Sequence, residues 1–329
     1  MAIPLGGMAS FTSPMSENFV IVIPQFNDWE ALNLLIQKIN QDLAPPILSN
    51  TTLLIVDDCS SKDQQSPFPK FQGKEIKLLR LFRNLGHQKS IAIGLSYVAE
   101  NIPCDKVVVM DADGEDNPAD INLLAAKSME EPGKIIFAER KKRNENFVFR
   151  FFYIIYKYAF KLLTGKAITF GNFSLVPQRR LKNLVRVSEI WNNYPGGIIR
   201  SRIPYDSVPT DRAKRLAGNS QMNFVSLILH GLSAISVMVD TTAVRILIFS
   251  IMMSGLAVAF IFIILFLKVI GNATPGWAST LGSTLVILML QSFMISLFLV
   301  FMVLQYRSQQ HFIPAIHYRD FVDTVDTIH

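Results

Sequence analysis

The sequence is poor in cysteine and in charge. Only Cys59 and Cys104 stand among 329 residues, so no disulfide framework is available, and both read as buried or half-buried thiols of a reducing compartment. Charged residues make up 18% and hydrophobic ones 50%, which excludes a disordered chain. No internal repeat or low-complexity tract is visible. Residues 1–16, MAIPLGGMASFTSPMS, hold no basic residue and no long apolar core. They lack the parts of a secretory signal and read as a flexible tail.

Charge of either sign is also absent from long stretches and crowded in others. The net charge is +6, but residues 16–133 carry 10 Lys+Arg against 17 Asp+Glu. Residues 134–166 carry 9 against 2, and residues 178–215 carry 9 against 3. An acidic first half thus precedes a basic second half. The basic stretches are interleaved with membrane-type aromatics and no nucleic-acid motif appears, so no nucleic-acid partner is expected.

What the chain does have is uninterrupted apolar sequence. Between 244 and 306 the only charges are Arg245 and Lys268. Residues 246–267 contain none, and at about 1.5 Å per residue a helix there is roughly 33 Å long, enough to cross a bilayer core. Residues 285–304 form a second such run with one amide, Gln291. Trp277 and Tyr306 stand at segment ends, where interfacial aromatics belong. Arg245 and Arg307 flank the hairpin, with Arg212, Lys214 and Arg215 upstream. The positive-inside rule then places both termini and the large N-terminal domain in the cytoplasm, with 307–329 a cytoplasmic tail.

Residues 17–218 read as one soluble domain. Short apolar runs at 19–24, 52–57, 76–82, 106–111 and 134–138 alternate with helical patterns at 29–40, 89–100 and 119–129. Such alternation with continuous apolar strands predicts an α/β fold with a parallel sheet covered on both faces. Polar residues cluster just after strand ends, at 25–28, 57–60, 83–88 and 111–116, the edge where open α/β sheets bind ligands. Residues 147–163 are aromatic but place Arg150, Lys157 and Lys161 on one helical face. They read as a helix in the membrane interface, with a core helix bearing a solvated basic face as the alternative. Residues 219–243 form a juxtamembrane amphipathic segment leading into the first span.

Asp111-Ala112-Asp113 directly follows a strand. Two carboxylates so spaced can share a divalent cation that bridges phosphate oxygens, although acidic loops are common. Here the pair comes in order with Ile23-Pro24-Gln25-Phe26-Asn27-Asp28, Val56-Asp57-Asp58-Cys59-Ser60, Arg83-Asn84-Leu85-Gly86-His87-Gln88 and Gly114-Glu115-Asp116. Glu139, Arg140, Arg143, the stretch Gly171-Asn172-Phe173-Ser174-Leu175, and Arg212, Arg215, Gly218 and Ser220 follow.

With these motifs the chain resembles the family 2 glycosyltransferases with the GT-A fold. Within them it is similar to the polyprenyl-phosphate glycosyltransferases, the group that includes dolichol-phosphate mannose synthase and bacterial undecaprenyl-phosphate sugar transferases. The resemblance covers residues 18–306. It implies a GT-A nucleotide-diphospho-sugar transferase domain with interfacial helices and a C-terminal transmembrane hairpin. Pro24, Phe26 and Asp28 would form the first nucleotide loop, and Asp57 and Asp58 would hold base and ribose. Arg83, Gly86 and Gln88 would shape the donor pocket, and Asp111 and Asp113 would bind Mg2+ or Mn2+, with Asp113 the direct ligand. Asp58 and Ser60 also suit a helix or turn cap, and Gly86 a simple turn.

The chain departs from that family in places. Cys59 stands where Gly is usual and His87 where Lys is common. No Asp precedes Gly171, Asn172 stands where some members have Asp, and Ser174 replaces an Arg. The Gln-x-x-Arg-Trp motif of processive synthases is absent. A sugar hydroxyl needs a general base, whereas a phosphate monoester is mostly ionised at neutral pH. A lipid phosphate therefore arrives activated and needs positioning and cations. Arg140, Arg143, Arg200, Arg202, Arg212 and Arg215 are candidates. Arg212 and Arg215 match the family's Arg-x-x-Arg-x-x-Gly-x-Ser pattern and join Asp113 as the expected catalytic residues.

The expectation is a membrane-anchored inverting glycosyltransferase. It would move a sugar from a nucleotide-sugar to a polyprenyl phosphate on the cytoplasmic face of a bacterial inner membrane, in cell envelope glycan biosynthesis. Another lipid or glycan acceptor and a catalytically impaired scaffold are the alternatives, and a homo-oligomer is compatible with the sequence.

Overall fold

The computed structural model describes residues 17–140, 158–166, 169–218, 231–271, 276–308 and 312–328. These fall into two compact units. The first takes 17–140, 169–218 and 313–328; the second takes 158–166, 231–271, 276–308 and Phe312. The tail at 1–16, Arg143, Ser220, residues 147–157 of the expected interfacial helix and 219–230 of the juxtamembrane segment lie outside the described residues.

The first unit is an eight-stranded mixed sheet flanked by helices. In chain order it holds β1 (Phe19–Gln25), α1 (Trp29–Asp42), α2 (Pro45–Leu48), β2 (Thr51–Asp57), β3 (Glu75–Leu81) and α3 (His87–Asn101). There follow β4 (Lys106–Val109), α4 (Asp120–Glu130), β5 (Ile135–Arg140), β6 (Ser174–Pro177), α5 (Gln178–Leu184), α6 (Tyr194–Ser201) and β7 (Tyr205–Thr210). After the second unit come α9 (Pro314–His317) and β8 (Val322–Ile328). The spatial order is β7-β5-β6-β4-β1-β2-β3-β8.

Strands β1 and β2 are buried at all seven positions. Their branched apolar side chains fill both faces of a sheet with helices on each side, which is why they read as continuous runs rather than alternation. On α1, Ala31, Leu32, Leu35, Ile36 and Ile39 turn inward at helical spacing. On α3, a Cβ at Gly94 would meet Val22 Cγ1 at 2.5 Å and Val56 Cγ2 at 2.9 Å, so that glycine lets the helix lie on the sheet. Cys104 is a free, buried thiol as expected, and that burial pushes its pKa up to about 12.

The sheet is mixed, not parallel throughout. Strands β1, β2, β3 and β4 are mutually parallel, as are β5 and β7. Strand β6 runs antiparallel to β4 and β5, and β8 runs antiparallel to β3. The sequence hides both reversals: β6 has four residues, and β8 (VDTVDTI) is half polar because it forms an exposed edge. The segment expected as a cytoplasmic tail is therefore structured. Tyr318 is buried and donates to Glu100 on α3 at 2.5 Å, and Phe321 stacks on Phe82 with centroids 6.0 Å apart.

The second unit contains α7 (Val239–Val269) and α8 (Trp277–Ser308), both long and apolar enough to cross a membrane, with most of their surface facing outward. The helices contain the expected spans 246–267 and 285–304 and run beyond them. Ser296 donates to Ser250 at 2.7 Å between them, a buried polar contact in an otherwise apolar pair. Residues 158–164 are helical; Phe160 is buried while Tyr158 and Lys161 are exposed. Arg245 donates to the Leu162 carbonyl at 2.7 Å, satisfying an acceptor in that helix's last turn.

Candidate functional site

The polar residues predicted at strand ends meet along one edge of the first unit's sheet. Gln25, the last residue of β1, donates to Asp57 Oδ1 at 2.6 Å and Ser60 Oγ at 3.0 Å. Ser60 donates to the same Asp57 oxygen at 2.6 Å and accepts the Asn27 N–H at 2.8 Å. Asp57 thus ties the first loop, with Pro24 buried at its root and Phe26 40% exposed at its tip, to the turn after β2. Burial pushes its carboxyl up; Ser60 and Arg80 only partly offset this. In that turn Cys59 has φ +57°, the left-handed conformation glycine takes without strain, so its place in the glycine position costs the backbone about 1 kcal/mol.

Asp58 gives both oxygens to backbone amides, accepting from Leu85 at 2.7 Å and Gly86 at 2.8 Å. It pins the loop that opens α3, where Gly86 sits at φ +93° as the residue before the helix. Arg83 extends over the rings of Phe82 and Phe321, 5.8 and 5.6 Å from their centroids. Gln88 donates to Asn172 Oδ1 at 3.1 Å and accepts the Tyr194 N–H at 2.6 Å, so it joins α3 to the stretch before β6 and to the start of α6.

The acidic pair lies beyond β4. Asp113 Oδ1 accepts the Glu115 N–H at 2.9 Å, and Asp113 Oδ2 accepts from Arg215 at 3.0 Å. Arg215 also pairs with Asp28 and donates to the Ala217 carbonyl at 2.9 Å. Backbone bonds from Ala213 to Glu115 (2.9 Å) and from Leu216 to Asp113 (3.0 Å) lay the basic segment along the acidic loop. Arg212 pairs with Glu115. Burial and the neighbouring Asp111 charge push the Asp113 carboxyl up, against the pull of Glu115 N–H and Arg215. The Asp111 N–H donates to Asp116 at 3.1 Å.

His87 Nε2 stands 3.1 Å from Asp111 Oδ1 and 3.0 Å from Asn172 Nδ2. Desolvation pulls its pKa down, but the charges of Asp111, Asp113 and Asp116 outweigh it and hold the imidazolium above its ordinary value. Ser174 is fully buried and shares a 2.7 Å hydrogen bond with the Tyr194 hydroxyl, itself buried. That position has become interior structure here rather than a charged contact.

The other arginines are more dispersed. Arg200 pairs with Glu189 at 2.8 Å, and Arg202 ends α6 at φ +57°. The Arg140 side chain is not among the described residues. Gln25, Ser60, Asn172 and Tyr194 were not singled out as site residues, yet they hold the motif loops together. The signal for the first three lay inside the motif stretches; Tyr194 gave none.

Among the described residues no group of three or more His, Cys, Asp or Glu is gathered to hold an ion. The donors at Asp111 and Asp113 nonetheless fit Mg2+ or Mn2+, which take hard oxygens from one or two carboxylates and complete their shell with substrate phosphates. The Arg215 guanidinium on Asp113 and Asp28 shows that the site accepts a cation.

A family model for "Glycosyl transferase family 2" matches residues 20–204. An uncharacterized glycosyltransferase, YkcC of Bacillus subtilis, is 26% identical over 277 residues, 79% of this chain and 81% of its own length. The undecaprenyl-phosphate 4-deoxy-4-formamido-L-arabinose transferase of Salmonella choleraesuis is 26% identical over 215 residues, 63% of each chain. Among solved structures, glucosyl-3-phosphoglycerate synthase from Mycobacterium tuberculosis, in complex with Mn2+, UDP-glucose and phosphoglyceric acid, aligns with a TM-score of 0.52. It is 12% identical, over 73% of this chain and 86% of that one, a likeness of fold.

Proposed function

The chain belongs to glycosyl transferase family 2 and is a nucleotide-sugar-dependent glycosyltransferase, and from that premise we propose that it transfers a sugar to a polyprenyl phosphate at the cytoplasmic face of a membrane. The observation that carries this reading is the Arg215 guanidinium, held between Asp28 and Asp113. It sets a phosphate-binding side chain of the basic segment against the acidic pair that suits the donor's diphosphate. The undecaprenyl-phosphate transferase relatives and the two apolar helices support the same acceptor.

In this reading Asp111 and Asp113 hold a divalent cation, which when bound neutralises charge on the diphosphate as it leaves. Pro24, Phe26 and Asp28 frame the donor from the β1 side. Asp57 and Asp58 fix the loops that enclose it, and Arg83, Gly86 and Gln88 form its wall on the α3 side. The acceptor phosphate oxygen attacks the anomeric carbon in line; the bond to the diphosphate breaks and configuration inverts. Arg215 and Arg212 offset repulsion between the two phosphate groups. Asn172 takes no proton at neutral pH, so the stretch before β6 favours an acceptor that arrives ionised over a hydroxyl that needs a base.

The test is a donor screen on the purified full chain, with and without Mn2+ or Mg2+, using short-chain polyprenyl phosphate. Transfer from one nucleotide-sugar, dependent on metal, is the expected result. Metal-dependent donor binding with transfer only to a lipid hydroxyl, or with no transfer, would overturn it in favour of another acceptor or a scaffold.

A further inference from the structure

Beyond the ends of β2 and β3 lies a cavity of about 490 Å3, lined among others by Trp29, Asp57, Lys62, Arg80, Phe82 and Asp323. Its size suits part of a small organic ligand, and Trp29 and Phe82 give it flat apolar surface. Asp57 and Ser60 on its wall connect through Gln25 and Asn27 to the first loop, whose Asp28 reaches Arg215 and, through it, Asp113. One end of this polar chain is the acidic pair that suits a diphosphate; the other end is the cavity. A nucleoside diphosphate bound at the pair has a base and a ribose to place.

Asp323 reaches the cavity through an irregularity in β8. Thr324 is paired with Arg80 and Val322 with Leu81, so the register slips by one residue and Asp323 is the unpaired extra residue of a bulge. A bulge of this kind re-aims a side chain out of the strand's alternation. Three other polar groups in the wall are committed, whereas Lys62 and Asp63 carry no ion pair and the buried Gln64 Nε2 has no hydrogen-bond partner among the described residues. Asp57 Oδ1 accepts from Gln25 and Ser60, Arg80 pairs with Asp326, and the Trp29 indole N–H donates to the Lys62 carbonyl at 2.7 Å. Among the described residues no hydrogen bond or ion pair holds the Asp323 carboxylate. An ionised carboxylate only accepts hydrogen bonds, and each nucleobase carries N–H donors on its edge.

We propose that Asp323, delivered by the bulge in β8, reads an N–H-bearing edge of the donor's nucleobase and so sets which nucleotide the enzyme uses. This rests on the donor-binding reading above. The strand that follows the apolar hairpin in sequence is then part of the donor pocket.

The experiment measures binding of UDP, GDP, CDP and ADP, with Mn2+, to the full chain in detergent. It compares the wild type with Asp323→Asn, Asp323→Ala and Thr327→Val, the last a change elsewhere on β8. The wild type is expected to prefer one nucleotide. Asp323→Asn, which removes the charge and turns one of the two acceptor oxygens into a donor, should weaken that one by about tenfold or more and the others by less than about threefold. Asp323→Ala should lose the preference, and Thr327→Val should keep it. An unchanged ranking in both Asp323 variants overturns the inference, as does a uniform loss across all four or a wild type without preference, while leaving donor binding intact. A wild type that binds none of the four overturns the donor reading itself.

Discussion

Arg215 donates to Asp113 at 3.0 Å while pairing with Asp28, so one guanidinium closes the gap between the first loop and the acidic motif. Both carboxylates are about four-fifths covered, at 22% and 20% side-chain exposure. A cation placed there competes directly with a divalent metal for Asp113. Replacing Arg215 by Ala should therefore tighten Mn2+ binding several-fold in the absence of donor, while transfer falls by about a hundredfold. Mn2+ titration followed by electron paramagnetic resonance and an initial-rate assay give the two numbers. Arg215→Lys should not rescue transfer, because an ammonium lacks the fork that reaches both carboxylates.

Metal binding should also be lost in acid at a higher pH than an unshifted aspartate would give. Burial and Asp111 raise the Asp113 pKa above 3.8, and the proton must leave before a cation binds. Mn2+ affinity is thus full above the raised value and falls as pH drops through it. The comparison is a titration between pH 4 and 7 on wild type and Asp113→Asn, the variant binding weakly and without the fall that tracks the Asp113 proton.

Two backbone positions make opposite predictions. Cys59 stands at φ +57°, so Cys59→Gly relieves strain and should leave stability unchanged or raise it by up to about 1 kcal/mol. Gly86 stands at φ +93°, so Gly86→Ala should destabilise by about 1–2 kcal/mol and displace the amide that Asp58 accepts. Thermal unfolding reads both, and donor affinity should fall only in the second.

The attachment of β8 should weaken in acid. The Tyr318 hydroxyl, helped by Arg319, holds the Glu100 carboxyl below its ordinary value of 4.5. Its contribution is complete above that value and is lost as pH falls through the lowered one. Tyr318→Phe removes the bonds to Glu100 and Asn101, the latter at 3.0 Å. It should cost about 1 kcal/mol locally, read as lower hydrogen-exchange protection of β8 amides at neutral pH.

The central strands and their polar ends were legible because each motif is contiguous and each strand is buried on both faces. Residues 52–57, for example, lie within β2, and their last residue, Asp57, opens the polar turn. The two membrane-length helices were legible for a similar reason, since absence of charge is a property of a run. What escaped the sequence depends on residues far apart. Gln88 meets Asn172 and Tyr194 across 84 and 106 positions, and no local pattern announces such a junction. The Ser174 departure, read as a missing charge, is explained by Tyr194, whose hydroxyl fills its hydrogen-bonding need. Strand β8 was read as tail because it follows the last apolar run, and its Asp and Thr side chains suit an edge exposed to water.

That edge has a consequence for biogenesis. Strand β3 is made early, but its partner β8 pairs with it at a separation of 246 residues, Arg80 meeting Asp326. During synthesis the open edge of β3 waits until both apolar helices have left the ribosome, and such an edge is prone to wrong pairing. The sheet is completed only after the hairpin has been made, so the first unit matures last although most of it is translated first.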